Sequence, residues 1–210
     1  HDEAARADRI ARQMFPDDPE AARSQLVNLA RDPDRDPGEI IAVGRSWFAR
    51  FARPDSASAT AAERPCGENR KGQRFTVGLI GNCINNPEAG HMLAPVMAGL
   101  KRRGVRLNVY ADEDRHSITR ESLAYHADRW TSLKGVDPET AAAILRGDGT
   151  DIAIDLSGFG PGCRLATLAN RPARLCLAWQ GDALVAVHGL DWLLTGPGAM
   201  TADAAGIAAW

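Results

Sequence analysis

A chain of 210 residues, 44% hydrophobic and 25% charged, has a globular composition with room for one domain of moderate size and an appendage. Its 25 basic and 27 acidic residues leave a formal charge of -2, so no net field draws the molecule to nucleic acid or an anionic membrane, and neither is expected as a partner. Apolar runs fall far short of the ~20 residues that cross a bilayer, and the opening HDEAARADRI has no apolar signal core, which predicts a soluble, cytoplasmic protein.

Residues 1–54 read as wholly helical, with Ile10, Met14, Leu26 and Leu29 at helical spacing and new helices possible after Pro16 and Pro37. The stretch GEIIAVGRSWFARFARP adds Ile40, Ile41, Val43, Trp47, Phe48 and Phe51 as one broad apolar face. Three helices are expected, in the manner of a final helical repeat or cap. Apolar periodicity then stops, and residues 55–74, rich in Pro, Ser, Gly and charge, read as a linker.

From residue 75 the pattern changes class. RFTVGLIGN is a buried-type strand over 75–80, and Pro87 and Glu88 open a helix to about Arg103, where Lys101, Arg102 and Arg103 form a solvated end. VRLNVYA is a second strand at 105–111, SITRESLAYHADRW a helix over 117–130, and DPETAAAILRGDG a helix ending at glycine. TDIAIDLSG gives a third strand, CRLATLAN a short helix, ARLCLAWQG a fourth strand, and LDWLLTG a last short one. Alternating strands and helices predict right-handed βαβ units and a Rossmann-like parallel sheet over 75–210. Ligands on such sheets collect beyond the carboxyl ends of the strands, which selects the loops 81–91, 111–117, 156–163 and 180–188.

In the first of these loops, Gly81 makes the turn. The amides of Asn82, Asn85 and Asn86 suit sugar hydroxyls or phosphate oxygens, aided by the N–H groups of the following helix; they suit a plain strand-to-helix turn equally. His91 is the one histidine near both a strand end and a helix start, a candidate general base or hydrogen-bond donor. His116 and His126 read as surface residues, and His188 as a weaker candidate. In DLSGFGPGC, Asp155 ends a strand, Ser157 and Gly158 make the turn, and Gly160 and Gly162 permit close backbone approach to a ligand. No GxSxG elbow is present, so a hydrolase is not supported; Asp155 could also simply cap the turn. Arg164 suits a phosphate or a pairing with Asp155. The four cysteines form no CxxC pair and show no His/Cys metal spacing, which argues against zinc and a disulfide framework. The chain begins with His1, which suggests a fragment or processed product.

Taken in order, FTVGLIGN, NPEAGHMLAPVMAGLKRRGVRLNVYA, ADRW, DGTDIAIDLSG, RLATLANRPA, AWQG and LDWLLTG resemble the catalytic region of the O-linked N-acetylglucosamine transferases, the SPINDLY-like glycosyltransferases, over residues 75–196. The helices and linker upstream resemble that family's passage from tetratricopeptide repeats into its catalytic part. The resemblance implies the amino-terminal half of a GT-B fold, preceded by a small all-helical segment. It also implies metal-independent, inverting transfer of N-acetylglucosamine from UDP-N-acetylglucosamine to Ser or Thr of a protein acceptor, with no cofactor beyond the donor.

On this reading His91 is catalytic, and Asn82, Asn86, Asp155, Ser157, Gly158 and Arg164 bind substrate on the acceptor side of the cleft; the nucleotide sugar requires the second half. The family's first-loop histidine falls on Pro87, while His91 matches a second histidine of some members. Phe159 replaces a polar ring, and Trp179 to Val185 lack the family's glycine-proline turn. These departures support an alternative, a catalytically degenerate half that binds a protein partner through its helical arm; Trp47, Phe48 and Phe51 suit a contact surface there, although such residues are more often core.

Overall fold

The computed structural model describes residues 6–7, 10–11, 13–32, 34–52, 74–82, 84, 86–112, 117–179 and 190–194. Asn85, His116, His188, the loop 180–188 and the expected linker apart from Arg74 lie outside them. The first expected helix is described in part, residues 6–7, 10–11 and 13–14 being helical.

Helix starts are written into the sequence as an acid or amide followed by proline. Helix α1 (Pro19–Ala30) is capped by Asp18, α2 (Pro37–Phe51) by Asp36, α3 (Pro87–Arg102) by Asn86 and α5 (Pro138–Gly147) by Asp137. In each, the capping side chain accepts an orphan N–H of the first turn, while proline at the helix start has a pre-set φ. The new helix after Pro16 starts instead at Pro19; Pro16 lies in the preceding turn, because the capping carboxylate is Asp18.

Six strands follow: β1 (Thr76–Ile80), β2 (Arg106–Ala111), β3 (Arg129–Ser132), β4 (Ile152–Asp155), β5 (Leu175–Trp179) and β6 (Trp192–Leu194), with α4 (Ile118–Ala124) between β2 and β3 and α6 (Leu165–Ala169) between β4 and β5. All pair in parallel, in the order β3-β2-β1-β4-β5-β6. The fold is therefore α/β with a Rossmann-like sheet. Register is fixed at the amino edge by aspartates, each capping the neighbouring strand. Asp151 accepts from Thr76 N (2.9 Å), Asp128 from Leu107 N (2.9 Å) and Asp191 from Cys176 N (2.8 Å).

Strand β3 corrects the sequence reading, which ran a helix through residue 130. Ser117 caps a helix that ends at Ala124, and Arg129–Ser132 pairs with β2 instead. This edge strand is four residues long with Trp130 as its one large apolar side chain, so no apolar alternation announced it.

The two faces of the sheet carry separate cores. Val77, Leu79, Leu107, Val109 and Ile154 pack with Leu93 and Met97 of α3 and Leu123 of α4. On the other face Ile80, Tyr110, Ala153 and Cys176 join Leu145 of α5, Leu168 of α6 and the hairpin of α1 and α2, through Leu26, Val27, Trp47 and Phe48. Trp47 and Phe48 are buried and Phe51 packs against the same core, so of the two readings of these aromatics, contact surface or core, the structure has the core.

Candidate functional site

Strand order reverses between β1 and β4, so the crevice of this sheet opens between the loops that follow those strands. There the two loops interlock. Ser157 Oγ accepts the N–H of Asn82 at 3.0 Å, and Gly81, at φ +143, lies against the same hydroxyl, where a Cβ would overlap it. Gly162, at φ +72, lies against the Asn82 side chain in the same way. Both glycines combine a left-handed φ with a close approach that no side chain fits. Gly81→Ala is expected to cost about 1–3 kcal/mol through that overlap and strain. Urea unfolding checks this, and an unchanged midpoint would mean that the loops do not interlock.

Asp155, the last residue of β4, is fully buried. Its Oδ2 accepts the Gly158 N–H at 2.6 Å and so closes the turn. Its Oδ1 has no hydrogen-bond partner among the described residues. Burial pushes this carboxyl up to about 7, while the backbone N–H groups of Gly158 and Ser157 pull the other way.

The structure therefore gathers Asn82, Asp155, Ser157 and Gly158 at the switch point. It does not bring in the other three predicted residues. Asn86 is exposed and its side chain accepts the Glu88 N–H at 3.0 Å, as the cap of α3. His91 is exposed in the second turn of α3, and Pro95 of the same helix has no N–H to donate to the His91 carbonyl.

Arg164 pairs with Asp112, not with Asp155. Its Nε donates to Asp112 Oδ2 (2.8 Å) and Nη2 to Oδ1, while Nη1 reaches the Val136 carbonyl (2.7 Å) and Nη2 the Leu133 carbonyl (2.6 Å). This guanidinium ties together the loops after β2, β3 and β4. Asp112 had no signal in the sequence, since it lies 52 residues from its partner.

Sequence reasoning also missed the contact that roofs the β4 turn. Phe159 is fully buried; Trp47 meets its ring edge-to-face at 5.1 Å, and Arg23 of α1 donates to its carbonyl. The residue that replaces a polar ring in the resembled family is thus the seat of the helical hairpin.

An α/β protein with a Rossmann-like parallel sheet and a candidate site at its switch point is the class that fold and geometry define. No protein-family model matches the chain. It is similar to curated proteins described as probable UDP-N-acetylglucosamine--peptide N-acetylglucosaminyltransferases. SPINDLY of Oryza sativa subsp. japonica is 22% identical over 178 residues, covering 80% of this chain and 18% of that protein. SEC of Arabidopsis thaliana is 22% identical over 125 residues, covering 59% and 13%. A solved O-GlcNAc transferase of Thermobaculum terrenum, a lysine-to-methionine mutant, superposes with a TM-score of 0.73 at 22% identity, over 90% of this chain and 36% of that one. The chain spans less than a fifth of the length of these curated relatives. At such identity the structural likeness speaks for the fold. Among the described residues no helix is long and apolar enough to cross a membrane.

Proposed function

We propose that this chain belongs to a protein O-glycosyltransferase of the GT-B type and supplies the acceptor side of its cleft, for transfer of N-acetylglucosamine from UDP-N-acetylglucosamine to Ser or Thr of a protein. The observation that carries this reading is similarity over 80% of the chain to peptide N-acetylglucosaminyltransferases, an alignment long enough to take in both switch-point loops. The fold supports it, since the loops after β1 and β4 meet where such sheets bind ligands.

On this reading Asn82 holds the acceptor at the mouth of β1. His91, exposed on the helix that leaves that mouth, orients the acceptor hydroxyl or takes its proton as the bond to the sugar forms and UDP departs. Ser157, Gly158 and Asp155 keep the loops in register. Asn86 serves through its cap, which sets the start of the helix carrying His91, and Arg164 through the loops it ties.

The test is calorimetric titration of UDP-N-acetylglucosamine into the longest natural polypeptide that contains this sequence, with sugar transfer to peptides followed in parallel. Donor binding and transfer are expected, with transfer about 10²–10⁴-fold slower in His91→Ala and donor binding retained. Transfer at the parent rate in the variant would remove His91 from the reaction. Absence of both donor binding and transfer would overturn the transferase reading itself.

A further inference from the structure

Beneath the β4 turn lies a carboxyl group that the loop interlock only half uses. Asp155 is 0% exposed, with Oδ2 on the Gly158 N–H and Oδ1 unpartnered among the described residues. Among the described residues, the elements packed around it offer no cation dedicated to its charge. In the sheet it pairs with Ile80 of β1 and Ala178 of β5, neither of which titrates. From its own loop Cys163 faces it, the thiol pushed up to about 12 by burial first and then by Asp155. From α1 come Arg23 and Glu20, which act on that thiol in opposite senses; the Arg23 guanidinium is engaged with Glu20 and the Phe159 carbonyl. From α2 comes the Trp47 ring against Phe159. Arg164, next to Cys163 in the chain, is taken by Asp112.

An ionised carboxylate in that position is shut off from solvent and has only the backbone N–H groups of Gly158 and Ser157 to set against its charge, whereas a neutral one leaves the turn at rest. The turn above it is also what the hairpin sits on. We infer that Asp155 is a protonation-controlled latch: its neutral form keeps the Ser157–Cys163 turn closed under the α1–α2 hairpin, and its ionisation releases turn and hairpin together. Release breaks the Asn82–Ser157 hydrogen bond as well, so the crevice between β1 and β4 opens in the same step.

The direction follows from linkage. The carboxyl sits near 7 when closed and near the ordinary value of about 3.9 when opened to water. The stabilisation of the closed form is therefore fully present below pH ~3.9 and lost as pH rises through 7. Opening should become about fifty-fold more populated between pH 5 and 7, and about ten-fold more between pH 6 and 8. This inference does not depend on the transferase reading, because the latch is a property of the fold.

Hydrogen exchange on the full chain, corrected for intrinsic pH dependence, reads it directly. Segment 156–163 and helix α2 are expected to lose about ten-fold in protection from pH 6 to pH 8, while the core amides of β1 and β2 hold theirs. In Asp155→Asn the loss disappears. Unchanged protection of the turn in the parent chain, an equal loss in every strand, or the same slope in the variant would each overturn the latch. Should the variant fail to fold, the parent pattern decides alone, since local and uniform losses are distinguishable there.

Discussion

Replacing Trp47 by alanine is expected to lower the unfolding free energy by about 3–5 kcal/mol, in the range of large aromatic truncations in cores. The indole is 7% exposed and meets Phe159 at 5.1 Å with the rings at 83°, and Phe51 at 5.8 Å. Its Nε1 donates to the Pro19 carbonyl at 2.9 Å, so the same side chain also closes α2 onto the start of α1. Alanine leaves a void between hairpin and turn and an acceptor without its donor, and neither neighbour can collapse into the gap without leaving the other. Denaturant unfolding of the single variants and of Trp47→Ala with Phe159→Ala forms a cycle. The ring pair should show a coupling of about 0.5–1.5 kcal/mol beyond area burial. A loss in Trp47→Ala below about 1 kcal/mol, or no coupling, would mean that the hairpin is not seated on the turn.

The same residues show where sequence reasoning reached and where it stopped. Prolines at possible helix starts and apolar residues at helical spacing gave α2, α3 and α5, while α1 starts at Pro19 rather than after Pro16, and apolar runs bounded by turns gave β1, β2, β4, β5 and β6. Strand β3 escaped, since an edge strand needs only half an apolar face and Arg129–Ser132 has one Trp to show. The switch point could be placed from the alternation of elements, and Asn82, Asp155, Ser157 and Gly158 do meet there. What they contact depends on chain segments brought together by the sheet. Trp47 could read as core or as contact surface, because its partner, Phe159, lies beyond the expected linker and across the fold. Arg164 could be matched to the nearest acid in sequence, Asp155, but the sheet order puts Asp112 of the β2 loop against it instead.

Arg164→Ala is the second substitution with a large expected cost, about 3–5 kcal/mol. The Arg164 side chain is 11% exposed and Asp112 16%, so deletion of the guanidinium leaves a carboxylate shielded from water without its counter-charge. It also frees the Leu133 and Val136 carbonyls, 2.6 and 2.7 Å from the guanidinium, and so loosens three loops at the carboxyl edge of the sheet together. Arg164→Lys should recover little, because a single ammonium cannot hold both carboxylate oxygens and two separate carbonyls. Arg164→Met combined with Asp112→Asn should recover more than lysine does, because no charge is then left buried. Thermal unfolding of the three variants, with phosphate titrated into each, separates a clamp from a ligand-binding arginine. A clamp predicts a large loss in the alanine variant, partial rescue in the double variant and the same phosphate response throughout. A ligand arginine predicts near-parental stability with a weakened phosphate response, and that result would return Arg164 to the substrate.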